Sequence, residues 1–532
     1  MIPATALQGE RPDRAPEQIA AIFSAVRNRV HLAPDAIVVH EGSLAEGFGN
    51  AGSDVDFLVL IAGDEETPTM PTVLFEAGRR VEVRTRSEAQ LRRQLELAAS
   101  GEADEDVLNR VQRFLRAQEV ARDGRAPDLD RLRALFPYPD FTAHMQRWWR
   151  ERAEQALLFA VALAALGDDE SALGWARDGL DQAAKSWLAG QGEGYIETKW
   201  LPKQFDRSAD QETQVHYRSA RTGSFLDALA SAAAFGVDIP ADGESLVLRR
   251  IPDVTTWPIA GRLHVIRGRA DVFVLSDDAA PAWRSVVFGR PLTQLDTRHR
   301  PTIARFIQLG LVGLRTGTEP VRPALAMCPV FEGSTPSPTS HRPALGLRGA
   351  HASNSEPVSL IALPATRFVR SAIALVWANI VLENAREDLD GAIASGQSAV
   401  AGIAADRLVA MGVRAVVSAF GVDPLPADVA AGATVRWMLP AEGWRRDEFL
   451  EALATARTDA EHLVRFTEVV RDVVGGSDFP SSFASREEWR RTLDIGYDWL
   501  RLGGYLDTSF PLDEARDLLE SGGSQPLAAG SA

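Results

Sequence analysis

Apolar residues recur at helical spacing at Ile19, Ile22, Phe23, Val26 and Val30, and Pro16 suits a first turn, so an amphipathic helix is predicted over 15–32. The period then changes. Val38-Val39 and Phe57-Leu58-Val59-Leu60 are short apolar runs of the strand type. Between them stand a Gly42-Ser43 turn, a glycine-rich connection from Leu44 to Ser53, and Asp54-Val55-Asp56, with which the second strand opens. Residues 63–71 read as an acidic loop containing Pro and Thr. Over 79–86 the chain alternates again: Val81 and Val83 face one way, and Glu82, Arg84 and Arg86 the other. Helix followed by three strands predicts a small α/β domain over 15–90.

A mostly helical block is expected over 91–238. Ser87 and Gln90 fit a capping box at its entry, and helices are predicted over 104–122, 139–166, 169–189 and 222–235. Trp148-Trp149 and the Leu/Ala-rich run after them read as core or as the surface of a homodimer. The segment Gly194 to Lys203 is polar, aromatic and aperiodic, and reads as a loop on this scaffold. From residue 244 to 316 the pattern is of short strands (245–250, 262–267, 271–275), a tight connection at Gly268-Arg269-Ala270, helical segments (277–287, 291–296, 301–310) and a strand-like ending, a module of winged-helix size. Residues 318–357 are rich in Pro, Ser, Thr and Gly and read as a linker. Helices are predicted again within a C-terminal domain over 358–520, at 364–393, 396–420, 445–474, 485–503 and 512–520, before a Gly/Ser/Ala tail. The fold class is multidomain α/β plus α.

Composition narrows the setting. The 532 residues carry a net charge of −16, which gives no bulk attraction to nucleic acid or to an anionic membrane. Cys328 is the only cysteine, which excludes an intrachain disulfide and a multi-cysteine zinc site. The first sixteen residues are polar, with no apolar core of a signal peptide, and no run of about 18 apolar residues suits a membrane span. A cytoplasmic chain without a membrane partner is the expectation, with nucleic acid disfavoured.

The candidate chemistry gathers at 38–60. Strand parity puts Asp54 and Asp56 on one face, roughly 7 Å apart at Cα, an arrangement that suits hard divalent cations. The Gly42-Ser43 turn offers backbone N–H groups and a hydroxyl to a phosphate. Glu82 adds a carboxylate from a further strand, with the alternative that it only pairs with Arg84 or Arg86. Lys199 is a candidate phosphate contact from the aperiodic loop, and Glu193 or Glu197 a candidate base. The histidines show no ligand spacing.

These residues resemble the nucleotidyltransferase superfamily that includes DNA polymerase beta, the antibiotic nucleotidyltransferases and the minimal nucleotidyltransferases. The likeness rests on Gly42-Ser43, the connection Leu44 to Ser53, Asp54-Val55-Asp56 and Glu82, and covers about 15–90; it is general over 91–238. Two departures stand out. Glu41 precedes Gly42 where the family has an apolar residue, and Glu46 stands where many members are basic. The resemblance implies two Mg²⁺ ions held by Asp54, Asp56 and Glu82, triphosphate contacts from Gly42, Ser43, Arg84, Arg86 and Lys199, and transfer of a nucleoside monophosphate. AMP from ATP is expected, with a small molecule or a peptide as acceptor. Residues 244–316 resemble more weakly the PqqD-type winged helix, through Val247 to Pro252, Val272 to Ser276 and Gly310 to Val312, which implies a peptide partner added at a sheet edge. Alternatives are a nucleotide-sensing, peptide-binding scaffold, and nucleotidyl transfer to tRNA or protein.

Overall fold

The computed structural model describes residues 16–316 with short breaks (28, 30–34, 65–66, 68–70, 77, 242, 244–245, 252–253, 260–261, 268–270 and 288), then 358–361, 382–419, 435 and 445–474. The chain is mixed α/β and mostly helical, with a small mixed sheet near its start. The expected connection at 268–270, the linker 318–357, the helices at 485–503 and 512–520 and the tail lie outside the described residues.

The N-terminal sheet has five strands: β1 Ala36–Glu41, β2 Val55–Ile61, β3 Thr72–Glu76, β4 Arg79–Ser87 and β5 Gln118–Arg122, in the order β3-β4-β2-β1-β5. The central pair β2/β4 is parallel and the other pairings are antiparallel. Parity assigns the two faces. Val38, Phe57, Val59, Val81 and Val83 pack against Ile19, Ile22, Phe23 and Val26 of α1 (Pro16–Arg27). Ile37, Val39, Leu58 and Leu60 pack against α3 (Glu88–Ser100) and α4 (Glu105–Arg116) through Leu91, Leu95, Leu108 and Phe114. A sheet covered on both faces explains why β1 and β2 read as continuous apolar runs. Ser87 closes the expected capping box with Gln90, so β4 turns directly into α3.

Two strands differ from expectation. Thr72–Glu76 pairs with β4 through a hairpin whose Gly78 has a φ of 72°. The helix expected over 104–122 stops at Arg116, and Gln118–Arg122 pairs with β1 as β5. Glu, Ala and Arg favour helices, but the open edge of β1 supplies ladder hydrogen bonds that override local propensity.

After α5 (Leu129–Arg133), the helical block is built on α6 (Tyr138–Ala165) against α7 (Asp169–Gly190), with Trp149 buried. It continues into α8 (Leu201–Ser208), α9 (Gln211–Thr222) and α10 (Phe225–Ala234). The first two of these were not anticipated, because few apolar residues mark them; Leu201, Phe205 and Tyr217 bury their inner faces. In the middle of the chain, β6 (Leu246–Arg250) is flanked by β10 (Arg290–Pro291) and β11 (Val312–Thr316). A second sheet joins β7 (Val254–Ile259), β8 (Arg262–Arg267) and β9 (Asp271–Leu275), with α11 (Ala279–Val287) and α12 (Arg300–Gln308) alongside. Pro258 masked β7, which lies at the sheet edge where proline is tolerated. Residues 291–296 are not a helix but the end of β10 and a 3₁₀ turn, Leu292–Gln294. Val358–Ile361, placed at the start of the helical C-terminal domain by the sequence pattern, is instead a strand, β12, paired with β9.

Among the described residues the C-terminal helices are α13 (382–394), α14 (Ser398–Ala419), α15 (Arg446–Thr455) and α16 (Ala460–Val474), the first part of the helix expected over 364–393 lying outside them. The single helix expected over 445–474 is two, because Asp459 accepts from the His462 N–H at 2.9 Å and starts a new one. Among the described residues no helix is long and apolar enough to cross a membrane.

Candidate active site

The sheet register brings three carboxylates into one row. Glu41 ends β1 opposite Asp56 of β2, and Asp56 lies opposite Glu82 of β4. Neighbouring strands are spaced by about 4.8 Å, so the row runs straight across the sheet centre. Asp54 lies just before β2, not within it. The chain leaves β1 through the one-turn helix α2 (Gly42–Ala45), where Gly42 has a φ of 81°. A Cβ there would overlap the Asp56 carboxylate, with Asp56 Cγ at 3.0 Å. Glycine is thus required twice, for conformation and for the close approach of Asp56. Gly42→Ala is expected to cost about 1–3 kcal/mol of stability, read from the urea midpoint, and to displace Asp56. Ser43 lies inside α2 and is not its cap; its carbonyl accepts from the N–H groups of Phe48 and Gly49 at 2.9 and 3.0 Å.

Three arginines hold the carboxylates. Arg80 donates to Asp54 and lies 3.7 Å from Glu82. Arg84 spans Glu41 (3.4 Å) and Glu82 (3.1 Å). Arg113 of α4 spans Asp56 (3.3 Å) and Glu197 (3.4 Å). Burial raises the Glu41 carboxyl, with Arg84 and Arg113 opposing. Burial also raises Asp54, assisted by the charges of Glu82 and Asp56. For Glu82 burial acts upward too, but Arg80, Arg84 and Arg113 together hold it low. The site is thus divided into carboxylates of unlike proton affinity. Burying such charges is costly, and ion pairing repays little of that cost in net stability.

The helical block reaches the row through the connection after α2. Phe48, 3% exposed, stacks on Trp200, meets Tyr195 edge-on, and lies under the Arg207 guanidinium at 4.2 Å. Glu46 is buried with Arg116 (3.1 Å), Arg207 (3.3 Å) and Gln112 (3.2 Å), and so docks α4 and α8. The Lys185 ammonium, 1% exposed, donates to the carbonyls of Tyr195 (2.8 Å) and Glu197 (3.0 Å) and to Gln204. It thereby pins the 193–199 loop, which carries Glu197 and Lys199. Glu197 is held down to about 2 against burial by Lys199, Arg113 and Arg407.

The C-terminal helices also arrive here. Lys199 binds both oxygens of Asp388 on α13, at 2.8 and 2.7 Å. Arg80 donates to Asn384 Oδ1 at 2.6 Å and lies 4.0 Å from Glu387. The Ala51 N–H donates to the Ser395 hydroxyl at 2.9 Å. Gly52 and Gly391 meet backbone to backbone: a Cβ on Gly52 would lie 3.0 Å from the Gly391 Cα.

Of the residues singled out in sequence, Asp54, Asp56, Glu82, Gly42, Ser43 and Arg84 come together around this row, and Lys199 joins through Glu197 and Arg113. Arg86 does not. It lies four residues beyond Glu82 on β4, roughly 13 Å along the strand. There it is 4% exposed, donates to the Thr85 carbonyl at 2.7 Å, and is brought down to about 10 by burial and the charge of Arg110. Glu193 faces Arg207 rather than the row. Sequence reasoning missed Arg80, Arg113, Asn384, Glu387 and Asp388. Arg80 shares the parity of Glu82 and was legible; the others carry no local signal. The donors suit Mg²⁺ by chemistry, being carboxylate oxygens. Among the described residues, however, no three acidic, His or Cys side chains converge as a ready cage, since arginines engage them. No family model matches this chain, and no curated protein matches it.

Proposed function

We propose that this chain is a nucleotidyltransferase that moves a nucleoside monophosphate, AMP from ATP, to a small-molecule or peptide acceptor. The observation that carries this reading is the carboxylate row, one acid from each of three adjacent strands, built beside a glycine whose missing side chain admits Asp56. In it, residues 15–90 form the nucleotidyltransferase domain, 91–238 its helical bundle, 244–316 a winged-helix module and 358–520 a helical domain that opens on β12. Asp54, Asp56 and Glu82 would hold Mg²⁺ once Arg80 and Arg113 let go. Bound there, the metal supplies an activated acceptor oxygen and charge neutralisation for pyrophosphate. The chain's own residues do the rest. Gly42 and Ser43 present backbone N–H groups at the turn, Arg84 holds Glu82 ionised, and Arg113 ties Asp56 to the Glu197–Lys199 loop.

The test is incubation with Mg²⁺ and each α-labelled nucleoside triphosphate, reading label transfer and pyrophosphate release. Glu82→Gln is expected to reduce turnover by about 10²-fold or more, through loss of a charged metal ligand. Full activity in that variant would remove Glu82 from the site. A second reading, a nucleotide-sensing scaffold, draws support from the arginines that already engage every carboxylate of the row. It predicts triphosphate binding without Mg²⁺-dependent pyrophosphate release.

A further inference from the structure

An ammonium has three hydrogens to donate. On Lys199 two go to the Asp388 oxygens at 2.8 and 2.7 Å, and the third faces Glu197 Oε2 at 3.3 Å. Lys199 is therefore saturated by two carboxylates, and a phosphate oxygen can reach it only by displacing one. Glu197 is fixed by Arg113 at 3.4 Å and by the Lys185 ammonium, which donates to its backbone carbonyl at 3.0 Å. Asp388 is held differently. It stands on α13, whose docking rests on side-chain contacts and on the Gly52–Gly391 approach, and its Oδ2, which Lys199 binds at 2.7 Å, also lies 3.9 Å from Arg407 of α14. The same helix supplies Asn384 and Glu387 to Arg80, the arginine that covers Asp54. One helix thus occupies both a phosphate-binding cation and the arginine lying over a candidate metal ligand.

We propose that α13 is a gate on the nucleotide site, with Asp388 holding Lys199 in the place of a phosphate oxygen. This rests on the nucleotidyl-transfer reading above. Entry of the triphosphate exchanges a carboxylate for a phosphate on Lys199. Asp388 passes to Arg407, and Arg80 is released from α13. No covalent step is involved. The apparent affinity is reduced by the fraction of molecules in which the gate stands open, so loosening the gate strengthens binding.

The experiment is a titration of the full chain with MgATP, comparing wild type, Asp388→Asn and Gly391→Val. The first substitution removes the competing charge. The second leaves every charged group in place but sets a side chain against the Gly52 backbone N, which the added Cβ would approach to 2.5 Å. Both variants are expected to bind MgATP about tenfold more tightly than wild type. Hydrogen exchange over 382–394 in the wild type is expected to rise when MgATP is added. Unchanged or weaker binding in Asp388→Asn overturns the gate and makes α13 a fixed wall. Tighter binding in Asp388→Asn alone, with exchange over 382–394 unaltered by MgATP, overturns the moving helix and leaves a charge effect at Lys199. Binding by none of the three proteins overturns the nucleotide reading and the gate together.

Discussion

Asp56→Asn is expected to abolish nucleotidyl transfer while leaving the protein folded. Asp56 is the middle carboxylate of the row, opposite Glu41 on one side and Glu82 on the other, and it lies against Gly42. Asparagine has nearly the same shape, so the close approach to Gly42 survives. Its amide oxygen still accepts from Arg113, which also keeps Glu197. What is lost is one negative charge from Glu41, Asp54, Asp56 and Glu82, which already outnumber Arg80, Arg84 and Arg113. Folding stability should move by only about 1 kcal/mol, since relief of like-charge repulsion offsets the weakened pair with Arg113. Binding of a hard cation and the transition-state charge it neutralises depend on that carboxylate. Losing several kcal/mol there is a rate loss on the order of 10³-fold or more. The paired measurement is α-labelled transfer beside a urea melt. A variant that transfers normally but melts much earlier would make Asp56 a structural ion-pair partner.

Lys185→Met should change the pH dependence of stability and loosen the site from behind. Lys185 lies within the helical block with its amine among the Tyr195 and Glu197 carbonyls and Gln204. Burial brings it down to about 7, against the charges of Glu193, Glu197 and Asp181. In the unfolded chain a lysine titrates near 10.4. The folded value is the lower one, so between the two the unfolded chain binds more protons and wild-type stability rises with pH. The cost of burying the ammonium is full below pH 7 and is relieved as pH climbs toward 10. Methionine fills the space without a titrating group. Between pH 7 and 9 the wild type is therefore expected to gain about 2–3 kcal/mol relative to the variant. Urea midpoints at the two pH values measure this. A flat difference would show that the three acceptor oxygens keep the amine charged. The variant also frees the 193–199 loop, so KM for the triphosphate is expected to rise more than kcat falls. Rescue of KM by Lys185→Arg would separate this positioning role from simple packing.

Much of the N-terminal fold was legible because it is written in local periods. The alternation Arg80-Val81-Glu82-Val83-Arg84 assigns its two faces without any partner, and Ser87 with Gln90 marks where strand turns to helix. Elements that depend on a partner were not legible. Gln118–Arg122 is a strand because β1 has an open edge, and Val358–Ile361 because β9 has one. That second pairing bears on the resemblance of 244–316 to a peptide-binding module, since the chain's own strand occupies one edge of the β7–β8–β9 sheet. Glu41, a departure from the family pattern in sequence, becomes in the sheet the third acid of the row, held by Arg84.

The sequence by itself determined, for Asp56 and Glu82, which strand each acid stands on and which face it takes. Those follow from a period of two, whereas the need for glycine at 42 comes from Asp56, which the sheet brings against it. Only the tertiary structure decided what each acid faces. Arg80 meets Asn384 across 304 positions and Lys199 meets Asp388 across 189. A polar pairing over such separations leaves no periodic trace, because any exposed arginine, asparagine or aspartate reads alike until folding removes water from between the partners.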